Sequence, residues 1–119
     1  MAIIKFSDIS DIDDKDDMLL EMANIRPAET GLPMVIWVQP DIHKKHGPRI
    51  KVQTEHGDKI SSHWSSVTIE NNPRIIVGEL SSSDFKFVAR FILLNLEPLL
   101  RLWNDEISPI QFGTIMQKV

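Results

Sequence analysis

The chain has 119 residues, of which 42% are hydrophobic and 25% charged, with three Trp, five Phe and neither Cys nor Tyr. A chain of this length buries one modest core and has no room for two, and without cysteine it has no disulfide framework, thiol nucleophile or thiolate metal site. The net charge of −4 weighs against a generic nucleic-acid binder.

In chain order, the charge is the first feature. Residues 1–26 carry Lys5, Lys15 and Arg26 against Asp8, Asp11, Asp13, Asp14, Asp16, Asp17 and Glu21, which accounts for all of the net charge, and residues 27–119 are neutral. The chain therefore reads as an acidic N-terminal arm, 1–26, joined to a single domain, 27–119. A dense Asp run is ordinarily a solvated, self-repelling segment. Tested as a calcium loop starting at Asp11, it puts Lys15 at the fifth position and Asp16 where glycine is required, so the register fails. No apolar run approaches the length of a membrane span, and Asp8 interrupts the first apolar residues before a secretory core forms. A cytoplasmic protein that does not enter a membrane is expected.

Met18, Leu19, Met22 and Ile25 recur at helical spacing behind Asp16 and Asp17, whose carboxylates suit a helix N-terminus, and they predict a short helix ended by Pro27. After a turn at Thr30 and Gly31, residues 34–38 form a continuous apolar run of strand length, the expected central strand. Residues 49–54 alternate, with Ile50, Val52 and Thr54 on one face, as a half-buried antiparallel strand does. Residues 67–70 and 74–77 give a third and a fourth strand, separated by the turn chemistry of Asn71, Asn72 and Pro73. Ser81 or Ser83 caps a long helix over 84–104, in which Pro98 removes one ladder hydrogen bond and predicts a kink at Leu94 or Asn95. Ser108 and Pro109 open a short closing helix. The expected fold is α+β: a small antiparallel sheet of about four strands packed against a long kinked C-terminal helix, with short terminal helices.

The long helix carries more apolar surface than one sheet needs. At 100° per residue, Phe85, Val88, Ile92, Leu96, Leu99 and Trp103 form one stripe, and Phe87, Phe91, Leu94 and Leu102 form another about 120° away. A second apolar face on so small a chain needs a cover, and the expectation is a homodimer through Phe87, Phe91, Leu94 and Leu102.

Catalytic equipment is sparse. His43 and His46 make a His-x-x-His pair near His56 and His63, but Lys44, Lys45 and Arg49 oppose a dication and no carboxylate stands at ligand spacing, so no metal is expected. Ser61, Ser62, Ser65 and Ser66 flank His63 without a nucleophile elbow or a glycine-rich anion loop, so neither catalysis nor a cofactor is expected. Trp64, a large aromatic among serines, has the composition of an interface anchor, or else folds back to cap the sheet. Trp64, His63, Arg49, Lys51, Lys44 and Lys45 form the candidate surface for a larger protein partner. The same basic stretch, with Trp37 and Trp64 as stacking surfaces, supports the alternative of a small nucleic-acid-binding or toxin-antitoxin type regulator, which the acidic arm opposes.

The segments Thr30-Gly31-Leu32-Pro33-Met34-Val35-Ile36-Trp37-Val38 and His46-Gly47-Pro48-Arg49-Ile50-Lys51-Val52, with Trp103-Asn104 closing an apolar helix, resemble a group of small uncharacterised bacterial proteins over residues 25–110. The Asp-rich arm departs from that group. In size and over the whole chain, the sequence also resembles the small Legionella effectors that bind and inhibit the ubiquitin-modifying effectors MavC and MvcA. That resemblance implies a dimeric, non-enzymatic inhibitor of larger deamidase or transglutaminase enzymes, translocated into the infected host cell. It transfers no site residue.

Overall fold

The computed structural model describes residues 2–5, 21–38 and 47–119. Six strands, β1 (Ala2–Lys5), β2 (Glu21–Ile25), β3 (Met34–Val38), β4 (Arg49–His56), β5 (Trp64–Thr68) and β6 (Ile75–Val77), form one antiparallel sheet in sequence order. The helices are α1 (Pro27–Thr30), α2 (Ser82–Leu94), α3 (Leu96–Trp103) and α4 (Pro109–Ile115). The fold is α+β, with six strands among the described residues where the sequence pattern indicates about four. None of its helices is long and apolar enough to cross a membrane, among the described residues.

The two further strands come from residues 1–26. Residues 21–25 are not the end of a helix: they pair with β3, Asn24 opposite Trp37 and Ile25 opposite Ile36. Ile25 is thereby fully buried on the same face as Ile36. Sheet pairing overrides a helical spacing carried by few residues, as tertiary context commonly does. Pro27 starts α1 instead of stopping a helix, because the first helical position needs no N–H. The sheet thus runs across the boundary drawn at residue 26. The Asp run, 8–17, and the stretch holding Lys44 and Lys45 lie outside the described residues.

Strand alternation divides the sheet into two faces. Ile25, Met34, Ile36, Val38, Ile50, Val52, Val67 and Ile69 point to the first, where they meet Val88, Phe91, Ile92, Leu99, Leu102 and Phe112 from α2, α3 and α4 in one core. Helix α3 rests on β3 and α4 on β2.

The expected long kinked helix is two helices. Asn95, at φ −117° and ψ 25°, separates α2 from α3. Pro98 cannot donate to the carbonyl of Leu94, and the chain breaks where that bond is missing. The buried stripe keeps one phase through the break: Val88, Phe91, Ile92, Asn95, Leu99 and Leu102 fall within an arc of about 100° at 100° per residue and are all fully buried, whereas Phe85 and Leu96 pack at the core margin. Asn95 also holds the chain's last residues. Its Nδ2 donates to the carbonyls of Phe91 (3.0 Å) and Gln117 (2.9 Å), and its Oδ1 accepts from the Gln117 N–H (2.6 Å). The Val119 N–H reaches the Thr30 carbonyl at 2.7 Å. Gly31, at φ +84°, passes so close to the Val119 carbonyl that a Cβ would collide with it.

Local cap chemistry fixes the helix starts. The Ser81 hydroxyl accepts from the Asp84 N–H at 3.1 Å, and Ser108 and Gln111 form a reciprocal capping box ahead of Pro109.

Candidate protein-docking face

The second face of the sheet carries the odd-numbered residues of β4 and the even-numbered residues of β5. Arg49 lies opposite Thr68, Lys51 opposite Ser66, and Gln53 opposite Trp64, while Lys51 is also the register partner of Trp37 on β3. Arg49, Lys51 and Trp64, drawn from separate stretches of sequence, therefore share the face turned away from the core helices. Lys51 is exposed, and Arg49 and Trp64 are half-buried.

Trp64 belongs to a strand and not, as its serine-rich surroundings suggest, to a loop. Its ring meets that of Trp37 across β4, centroids 5.0 Å apart and planes at 76°, an edge-to-face pair. Beneath and beside them Gln53 is fully buried and anchors the turn that follows β4. Its Nε2 donates to the carbonyls of Lys59 (2.6 Å) and Glu55 (3.2 Å), and its Oε1 accepts from the Ser61 N–H (2.7 Å). A single buried amide thus sets the path that leads into Trp64. Sequence reading missed it, because alternation puts Gln53 on the outward-reading face with Arg49, Lys51 and Glu55, and nothing local marks it as buried. Asn24 Oδ1 and Trp37 Nε1, on register-paired residues of this face, are buried without a hydrogen-bond partner among the described residues.

His63 stands at the start of β5, exposed. Its Nδ1 lies 3.0 Å from Glu55 Oε1 and 3.4 Å from Ser61 Oγ. A catalytic relay places the hydroxyl and the carboxylate on opposite ring nitrogens; here both crowd the same one, and the set lies open to water. His56 at the end of β4 is engaged elsewhere. Its Nε2 bridges both carboxylate oxygens of Asp84, at 2.9 and 2.8 Å, which ties the end of the strand to the first turn of α2. No group of three or more His, Asp or Glu that could hold a metal ion occurs among the described residues.

At the other end of the face an open groove of about 280 Å³ is lined by Gly47, Pro48, Arg49, Thr68, Ile69, Glu70, Arg74 and Ile76. The Thr68 hydroxyl donates to Glu70 Oε2 at 2.5 Å and Arg74 Nε donates to the same oxygen at 3.2 Å. The Thr68 bond foremost, helped by the hydrogen bond and charge of Arg74, holds the Glu70 carboxyl below its ordinary range against the opposing effect of burial.

The expected dimer set divides. Phe91 and Leu102 are fully buried in the core and cannot face a second chain, because they lie within about 60° of Val88 on the helical wheel and so belong to the stripe that packs on the sheet. Phe87 and Leu94, 41% and 42% exposed, remain on the surface with Leu93.

No family model matches the sequence, and no curated protein or solved structure matches it.

Proposed function

We infer that the protein is a non-enzymatic, protein-binding regulator that docks through the sheet face bearing Arg49, Lys51 and Trp64. The observation that supports this reading is their convergence on one face, with Trp64 braced by Trp37. A rigid aromatic held in place before binding loses little side-chain entropy on contact, and such anchors carry most of the energy of small interfaces. In its sharpest form the regulator inhibits a larger enzyme by covering its substrate-recognition surface. The resemblance to small Legionella inhibitors makes ubiquitin-modifying enzymes of the MavC and MvcA type the first partners to test. Self-association through Phe87 and Leu94 belongs to the same reading.

Calorimetric titration of the full chain into such an enzyme tests it. Trp64→Ala and Lys51→Glu are expected to weaken binding by about tenfold or more each with the far-UV spectrum unchanged; unaltered affinity in both would remove this face from the site. Oligonucleotide retention that collapses with added salt would favour the nucleic-acid alternative instead.

A further inference from the structure

Across β4, β5 and β6 the second face of the sheet changes character in a fixed order. Register sets Thr68 beside Arg49 and Ser66 beside Lys51 on one side, and Val77 beside Ser66 on the other. Ser66 and Thr68 are short and buried, whereas Lys51 is exposed and Ile76 and Val77 are 36% and 53% exposed. The strip over β5 is therefore a trough with a basic wall on β4, a floor of two hydroxyl side chains and an apolar wall on β6. At one end it opens into the groove of about 280 Å³ whose lining includes Arg49, Thr68 and Ile76, and at the other it meets Trp64.

The charge of the basic wall is unmatched. Both carboxylates near it are engaged: Glu55 faces His63 Nδ1 at 3.0 Å, and Glu70 accepts from Thr68 and Arg74. Arg49 donates one long hydrogen bond, from Nε to the Gly47 carbonyl at 3.5 Å, and neither Arg49 nor Lys51 has an ion pair among the described residues. Two residues apart on one strand, their Cα atoms stand about 6.6 Å from each other. The counterpart of two such cations is a pair of carboxylates at the same spacing.

The backbone of whatever lies here must satisfy itself. β4 and β5 are flanked on both sides by other strands, so their N–H and C=O groups are spent within the sheet, and a chain lying on this face gains no ladder bonds. An extended segment would leave its own backbone groups unpaired against the sheet, whereas a helix pairs them internally. Residues four apart on a helix rise about 6.0 Å, close to the spacing of the two cations.

We propose that the trough over β5 seats an amphipathic helix of a partner protein, with carboxylates one turn apart on the flank toward Arg49 and Lys51 and apolar side chains on the flank toward Ile76 and Val77. A second copy of this chain is a poorer occupant, since none of its described helices carries more than one carboxylate. A nucleic acid is poorer too, because it would leave the apolar wall without a counterpart. One helix covers a modest area, and the isolated contact belongs with weak, reversible associations.

The inference rests on the protein-binding reading and names the element that the face receives. Its test titrates the isotope-labelled full chain at low salt, followed by amide NMR, with a capped, side-chain-bridged helical peptide of about 16 residues. The peptide is alanine-based, with glutamates at i and i+4 and leucines at i+2 and i+6, which fall on opposite flanks of an alanine face. Perturbed amides are expected at residues 49–53, 64–68 and 75–77. A glutamine-for-glutamate peptide should bind about tenfold or more weakly, as should a peptide broken by a central proline, and the intact peptide should lose as much against Arg49→Glu or Val77→Glu. Absence of binding, perturbations confined to α2, α3 and α4, or equal affinity for the glutamine or the proline peptide would each overturn the proposal. An oligonucleotide that binds the same residues more tightly than the peptide at equal salt would overturn it in favour of phosphate. With a whole protein partner the two readings separate: sensitivity to Trp64→Ala with indifference to Val77→Glu keeps the docking face and sinks the helix over β5, whereas indifference to both removes the face altogether.

Discussion

Trp37 and Trp64 stand on strands separated by β4 and meet over it edge to face, 5.0 Å between ring centroids. The exposed ring therefore has a fixed orientation set by a nearly buried one, with Trp37 only 9% exposed. Covering the sheet and offering a contact surface are compatible for Trp64, whose side chain is part buried and part exposed.

Removing the pair should be measurable in the free protein. Trp64→Ala is expected to cost about 2 kcal/mol in urea denaturation, from the lost aromatic contact and partial burial. Trp37→Phe differs, because it also deletes a buried N–H that has no partner among the described residues, a group whose burial costs about 1–3 kcal/mol. The two effects oppose, and stability within about 1 kcal/mol of wild type is expected. A much larger loss would show that Nε1 is hydrogen-bonded in solution.

Asn95 combines a helix break with a tether. Asn95→Ala leaves both backbone groups of Gln117 without their side-chain partners, at an expected cost of about 2–4 kcal/mol. Hydrogen exchange should locate the damage: the amides of Gln117 and Val119 lose protection first, while those of β3 and β4 keep theirs. Uniform loss across the chain would instead mean that the break is required for the whole core.

Glu70 gives a pH dependence with a definite sign. Its folded value is lowered from the ordinary 4.5, chiefly by the Thr68 hydroxyl. The interaction therefore contributes fully above the ordinary glutamate range and is lost as pH falls through the depressed value. Carbon NMR of the side-chain carboxyl should show its titration midpoint below 4.5 in the wild type and raised toward 4.5 in Thr68→Val. A midpoint indifferent to that change would leave Arg74 as the main cause.

Phe91 and Phe87 lie four residues apart on α2 and have opposite fates. Phe91→Ala should cost about 3–5 kcal/mol, as truncation of a fully buried phenylalanine does. Phe87→Ser, at a position 41% exposed, should change monomer stability by less than about 1 kcal/mol. Light scattering then reads the other half of the comparison: if Phe87 and Leu94 hold two chains together, the double variant Phe87→Ser, Leu94→Ser is monomeric at concentrations where wild type is not.

Local chemistry settled a good part of this protein in advance. Alternation in residues 49–54 sorted Arg49 and Lys51 from Ile50 and Val52, the Ser108-Pro109 pair opened α4, Ser81 capped α2, and Pro98 located the break at Asn95; each depends on a few neighbouring residues and on backbone groups they satisfy or remove. What the chain's neighbourhood could not supply was decided by pairing across distance. Residues 21–25 became a strand because β3 offered them a partner, Phe91 and Leu102 turned inward because the buried arc of the helices is centred between the two apolar stripes, where the sheet meets it, and Trp64 entered β5 where Gln53 holds the turn before it. The docking face itself is of this second kind. Residues far apart in sequence come to share a surface only when strand register places them side by side, and register is a property of the sheet as a whole.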